Sequence, residues 1–297
     1  MKSLKEMQET ALNATRPGTV NPVEMLRLEA LTSFEKYTKL MFKCQYHRSF
    51  IVAEHHKKIF EALQDVVDGK ITRLIINIAP RYSKTEVVIK SFISWCFALN
   101  PRCRFLHLSY SDILVNDNSD TIRNIMSEEL YKTLFPNSAL ASDKGSAKRW
   151  KTKSGGELYA VSTQGQVTGF GAGNVDTDPE IDKMDGGNDI FVFDDHTNEM
   201  LSMISAKSNV FQGAIMIDDP IKPEDAESDI VRERINMRFE NTIRNRVNSR
   251  RTPIIIIMQR LHEHDLCGYL QEIEPDAWTV LSLPVIQTNS ETGEEYA

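Results

Sequence analysis

The stretch Leu74-Ile75-Ile76-Asn77-Ile78-Ala79-Pro80-Arg81-Tyr82-Ser83-Lys84-Thr85 decides the fold. Its apolar run, Leu74 to Ile78, reads as a buried strand, and the helix-compatible segment Val87 to Leu99 follows the Lys-Thr pair. Strand, short loop, Lys-Thr and helix is the order of a phosphate-binding (Walker A) loop. There, backbone N–H groups and a helix N-terminus cradle phosphate, the lysine neutralises its oxygens, and the threonine hydroxyl binds Mg2+. The strict GxxxxGK[ST] pattern fails, because Ile78 and Ser83 stand where the two glycines belong. Taken alone, such a segment is more often an ordinary helix start.

A second segment changes the balance. Ala214-Ile215-Met216-Ile217-Asp218-Asp219 is an apolar strand ending in adjacent carboxylates, the shape of a Walker B motif. The first carboxylate can hold Mg2+ and the second can orient or deprotonate an attacking water. A strand that simply ends in an Asp-Asp-Pro turn is the plain alternative. A third strand, Pro253 to Met258, ends in Gln259-Arg260, where a polar group can sense a phosphate bound beside the neighbouring strand. The following His262-Glu263-His264-Asp265 lacks HExxH spacing and fits the polar start of a helix.

Further strands are expected at Phe105 to Leu108, Leu158 to Val161 and Thr279 to Leu283, with helical stretches between. Nearly continuous Val/Ile/Leu/Met runs predict an α/β fold with a mostly parallel sheet covered on both faces. Residues 1–49 read as a helical lead-in, with one helix over Val23 to Phe42, and a further helix is expected from His55 to Val67. Residues 174–212 hold nine acidic residues and two lysines and read as an acidic insertion or long loop. Their Asp194-Asp195-His196 cluster fits a solvated loop better than a metal site. Val231 to Arg251 carries seven arginines against two glutamates, with Ile235, Phe239, Ile243 and Val247 four apart, which predicts an amphipathic helix with a basic face. Residues 287–297 read as a linker or frayed end.

Composition narrows the class. At 297 residues, 41% apolar and 26% charged, the chain suits one large or two modest folded domains, which excludes collagen, coiled-coil and disordered classes. No apolar run approaches a membrane span, and Met1 to Thr15 has no apolar signal region, so no membrane association and a cytoplasmic location are expected. Net charge is 35 − 42 = −7, so any nucleic-acid surface must be local. The four cysteines form no CxxC pair and read as reduced packing residues.

Together these segments resemble a known family, the large subunit of tailed-bacteriophage terminases, from about Phe50 to Pro284. The resemblance rests on the His55-His56 helix, Ala79 to Thr85, Ser109-Tyr110-Ser111, Val167-Thr168-Gly169-Phe170-Gly171, Ile217-Asp218-Asp219-Pro220-Ile221-Lys222, and Ile254 through Gln259-Arg260-Leu261-His262-Glu263-His264-Asp265-Leu266. It implies a P-loop NTPase fold of the ASCE type over residues 50–286, with a Mg2+-dependent ATPase that drives double-stranded DNA into a procapsid. It implies that Pro80, Arg81, Tyr82, Ser83, Lys84 and Thr85 bind ATP, with Arg81 and Lys84 on its phosphates. Thr85 and Asp218 would hold Mg2+, Asp219 would act on the catalytic water, and Gln259 and Arg260 would couple hydrolysis to movement. Implied partners are the portal protein, the terminase small subunit and further copies in a ring, five by resemblance, at the portal in the host cytoplasm.

The chain departs from the family pattern at three points. Asp219 replaces the usual glutamate, Phe170 stands where many relatives carry an arginine, and no nuclease region follows the linker that begins near 287. The arginine acting on a neighbour's ATP is therefore unassigned, with Arg244, Arg246, Arg250 and Arg251 as weak substitutes. Two other readings stay open: a helicase-like nucleic-acid ATPase, and a nucleotide-binding assembly module that has lost hydrolysis.

Overall fold

All six apolar runs become strands of one sheet. The computed structural model describes residues 21–142, 146–167, 169–174, 195–284, 287–288 and 295–296. Its strands are β1 (Arg73–Ile78), β2 (Arg104–Ser109), β3 (Arg149–Lys151), β4 (Glu157–Ser162), β5 (Ile215–Asp218), β6 (Ile254–Met258) and β7 (Thr279–Leu283). They form a seven-stranded sheet in the order β3-β4-β2-β5-β6-β1-β7, parallel throughout except for β3. The order interleaves distant parts of the chain, so β6 lies between β1 and β5.

Both faces of the central strands are covered, which explains why β1, β5 and β6 are nearly continuously apolar rather than alternating. Leu74, Ile76 and Ile78 point into one core, and Ile75 into the other. The first core is closed by α1 (Pro22–Thr32), α2 (Phe34–Tyr46), α3 (Glu54–Val67), α4 (Phe92–Leu99), α5 (Asp112–Ser127) and α6 (Glu129–Leu134). The lead-in helices share this core: Trp95 Nε1 donates to the Ala30 carbonyl at 2.9 Å and Tyr37 Oη to Ser94 Oγ at 2.8 Å. On the other face lie α8 (Asp229–Arg238) and α9 (Leu266–Ile273). Earlier in the chain, α7 (Asp195–Val210) precedes β5.

Several expectations change. The single helix over Val23 to Phe42 is two, because Ser33 leaves the helical conformation and its side chain accepts from Lys36 N–H, capping α2. In 174–212, the end of the span is α7 rather than loop, while 175–194, including Asp194, lies outside the described residues. The arginine-rich stretch is not one helix. After α8 it widens into a π-helical turn (Phe239–Ile243), tightens over Arg244–Arg246, and becomes extended at Val247. The segment 287–297 contains a short antiparallel pair, β8 (Gln287–Thr288) with β9 (Glu295–Tyr296). All four cysteines are free thiols, three of them buried. Among the described residues, no helix is long and apolar enough to cross a membrane.

Candidate functional site

Parallel register brings the C-terminal ends of β1, β6 and β5 side by side, with Asn77 opposite Met258 and Ile257 opposite Asp218. Ligands of open α/β sheets bind in the crevice beyond such ends. Three loops meet there: 79–85 after β1, 219–220 after β5 and 259–265 after β6.

Lys84 is 7% exposed, and its Nζ lies 2.5 Å from both carboxylate oxygens of Asp219. Next to this pair, Thr85 Oγ1 donates to Asp218 Oδ2 at 2.9 Å. Gln259 N–H reaches Asp219 Oδ1 at 3.4 Å. The Asp219 backbone is itself clamped, donating to the Ile257 carbonyl and accepting from Tyr110 N–H, each at 3.0 Å. Thus Lys84, Thr85, Asp218, Asp219 and Gln259, scattered through the sequence, are brought into one corner.

Asp218 carries the unusual electrostatics. It is 5% exposed, its Oδ2 accepts from Thr85, and its Oδ1 is buried with no hydrogen-bond partner. Burial, then the neighbouring Asp219 charge, pushes the Asp218 carboxyl up to about 7, against the pull of Lys84, Thr85 and Lys90. An unsatisfied carboxylate oxygen beside a threonine hydroxyl is an all-oxygen donor set that fits a hard divalent cation. Among the described residues no group of three or more His, Cys, Asp or Glu is placed to hold a metal ion.

The lysine loop keeps its turns without glycine. Arg81 and Ser83 have φ of 69° and 58°, and Asp219 has φ of 44°. Left-handed backbone at a non-glycine residue costs on the order of 1–2 kcal/mol, so all three conformations are imposed by their surroundings. Beyond the loop, Thr85–Ser91 is a π-helical turn leading into α4, a widening common at functional sites.

The other expected residues are placed differently. Arg81 and Pro80 are exposed, and Arg81 has no ion-pair partner among the described residues. Tyr82 faces the His55 ring at 5.3 Å, and the His55 and His56 Nε2 atoms are 3.0 Å apart. Burial and the adjacent His55 hold His56 down at about 4, so it is neutral at physiological pH. Arg260 turns away from the corner. Its Nε lies 2.9 Å from Asp265 Oδ2, and its Nη2 donates to the His262 and Glu263 carbonyls. Asp265 caps α9 through Gly268 N–H, so the His262 to Asp265 segment is a helix-start turn.

The weak arginine candidates divide. Arg244 is held by Glu240 and Glu274, and Arg246 Nε donates to the Thr242 carbonyl, whereas Arg250 and Arg251 are exposed. Phe170 is buried beneath Arg104 and Arg149, at 5.1 and 5.8 Å from its ring. Its neighbour Thr168 lies outside the described residues.

One chain of contacts was not signalled by any motif. Tyr46 Oη donates to Glu86, 3.2 Å from each oxygen, and Lys90 Nζ lies 3.1 Å from Glu86 Oε2. Lys90 thereby adds a second cation near Asp218. The Glu86/Lys90 spacing of four residues was its only trace in the sequence.

No known protein family and no curated protein matches the chain.

Proposed function

We propose that the chain is the ATPase motor domain of a tailed-bacteriophage terminase large subunit, hydrolysing ATP to drive double-stranded DNA into a procapsid. The carrying observation is the paired contact of Lys84 with Asp219 and Thr85 with Asp218, made between two strand ends with β6 between them. That strand order accords with a P-loop NTPase fold of the ASCE type.

In this reading the γ-phosphate of ATP competes with Asp219 for Lys84. As Lys84 turns to the phosphate oxygens, Asp219 keeps the Gln259 N–H and is released to orient a water in line with the γ-phosphorus. The water oxygen bonds to phosphorus while the bond to the β–γ bridging oxygen breaks. The water proton passes to Asp219, and ADP and phosphate leave. Thr85 and Asp218 would hold Mg2+, which when bound supplies charge neutralisation at the phosphates. Arg81, exposed on the same loop, would approach them with the substrate. Most of the acceleration comes from positioning and preorganised charge.

Gln259 joins the site to the Arg260–Asp265 turn, so loss of the γ-phosphate is felt at the start of α9. That is the route proposed for coupling to DNA movement, in a ring of copies, five by resemblance, with the portal and small subunit as partners in the host cytoplasm.

The test is Mg2+-dependent ATP hydrolysis across protein concentration, with and without double-stranded DNA, comparing the natural chain with Lys84→Ala and Asp219→Asn. Turnover that rises with concentration and vanishes in both variants supports the motor. An active Lys84→Ala protein sinks it. Strand separation on a forked duplex would favour the helicase reading. Nucleotide binding without turnover, even with portal and DNA, would favour an assembly module.

A further inference from the structure

The outer edge of the sheet carries a charge pattern opposite to that of the whole chain. Between Ser146 and Tyr159 stand four cations, Lys148, Arg149, Lys151 and Lys153, against one anion, Glu157, in a protein of net charge −7. Along β3 and just beyond it, exposure alternates: Arg149, Lys151 and Lys153 are exposed, while Trp150 and Thr152 are buried. Trp150 fixes this phase by donating from Nε1 to Ser119 Oγ on α5 at 2.8 Å. The side chains at 149, 151 and 153 therefore share one face; with Arg149 held by Glu157, its cations without a carboxylate partner are Lys151 and Lys153, roughly 6.6 Å apart along the strand, and Lys148 is exposed just before it. Such spacing suits successive phosphates of one nucleic-acid strand.

The one acid in the segment is already neutralised. Glu157 is nearly buried and receives Arg149 Nε at 2.6 Å and Arg104 Nη2 at 3.4 Å. Lys148, Lys151 and Lys153 are exposed without a carboxylate partner among the described residues. Holding three unpaired like charges together costs Coulomb energy in the isolated chain, and a polyanion recovers it.

We infer that this edge is the surface that grips duplex DNA through its phosphate backbone, Lys148, Lys151 and Lys153 being the contacting cations. The inference rests on the motor reading and deepens it by assigning its track-binding surface. Contacts to phosphate carry no sequence information, which suits a surface that must release and regrip at every position. Lysine on an edge strand also has a simpler use, blocking pairing with another sheet edge, and the experiment separates the two.

Binding of a fluorescent duplex of mixed sequence to the full chain is measured by anisotropy from about 50 to about 200 mM salt. The natural chain is compared with Lys148→Ala/Lys151→Ala/Lys153→Ala and with Arg250→Ala/Arg251→Ala, the exposed pair elsewhere, each checked for folding by circular dichroism. Each phosphate contact contributes about 0.9 to the slope of log affinity against log salt, so the triple variant should lose about 2–3 from that slope. The arginine variant should keep it, and ATP hydrolysis without DNA should be unchanged in the triple variant. An unchanged slope overturns the inference, as does a triple variant that self-associates while keeping its affinity. A natural chain that hydrolyses ATP without binding duplex also overturns it but spares the motor. A chain that does neither removes the motor reading itself.

Discussion

Asp218 and Asp265 are both buried at the same end of the sheet, 5% and 1% exposed, yet their surroundings are opposite. Asp265 is saturated: Oδ2 receives Arg260 Nε, Leu261 N–H and His262 N–H, and Oδ1 receives Gly268 N–H. Asp218 has one hydrogen bond from Thr85, and its other oxygen has none. A carboxylate surrounded by donors stabilises a turn. One left short of donors costs stability. Asp265 thus builds the scaffold, whereas Asp218 keeps a buried oxygen that no described group satisfies.

That contrast can be broken most forcefully at the cation beside the unsatisfied pair. Lys84→Ala is expected to lower Mg2+-dependent ATP turnover on the order of 10³-fold, the scale of losing one preorganised charge at a phosphate. Its unfolding should stay cooperative. Asp265→Ala should do the reverse, costing about 2–3 kcal/mol in denaturant unfolding because the Leu261, His262 and Gly268 N–H groups lose their acceptor and the cap of α9 is undone. A small loss there would mean that the turn is held by something other than its carboxylate.

Asp218→Asn sharpens the comparison through pH. The folded carboxyl is raised from 3.8 to about 7, so across that window the folded chain holds a proton that the unfolded chain has released. Stability linked to that proton is present at low pH and is lost as pH rises through about 7. In buffer without divalent cations, the variant should melt above the natural chain near pH 8.5, the gap closing toward pH 4. Equal gaps at both ends would show that burial is not what sets this carboxyl. The smallest expected effect is Ser83→Gly. Relieving one left-handed residue should raise stability by about 1 kcal/mol, and a loss would show that the serine side chain is needed in the loop.

Much of this was legible because it is local. The strands announced themselves by composition, since a strand buried on both faces needs no alternation to be seen. Lys84, Thr85, Asp218 and Asp219 were visible because loop chemistry at a strand end has few variants. Strand β3 was missed: three residues long and two of them charged, it owes its place to pairing with β4 rather than to its own pattern. The arginine-rich helix was overextended for a related reason. Its four-residue apolar spacing continues to Val247, but the chain is captured there by Ala172, which donates to the Arg246 carbonyl at 2.7 Å and accepts from Asn248 N–H at 2.9 Å. Nor could the sequence reveal that Arg260 belongs to Asp265, because a charged side chain at a strand end can face the crevice or the following turn.

Because β6 lies between β1 and β5, the lysine loop and the aspartate pair stand two strands apart. The sheet works as a gauge. Two strand spacings of about 4.8 Å set the lysine loop and the aspartate pair about 10 Å apart, a span fixed by backbone hydrogen bonds rather than by side chains. Across that gap Lys84 closes onto Asp219 and Thr85 onto Asp218. Because the gauge is backbone, the loop that reads it can hold its turns at Arg81 and Ser83 without glycine while the width between the strand ends stays the same.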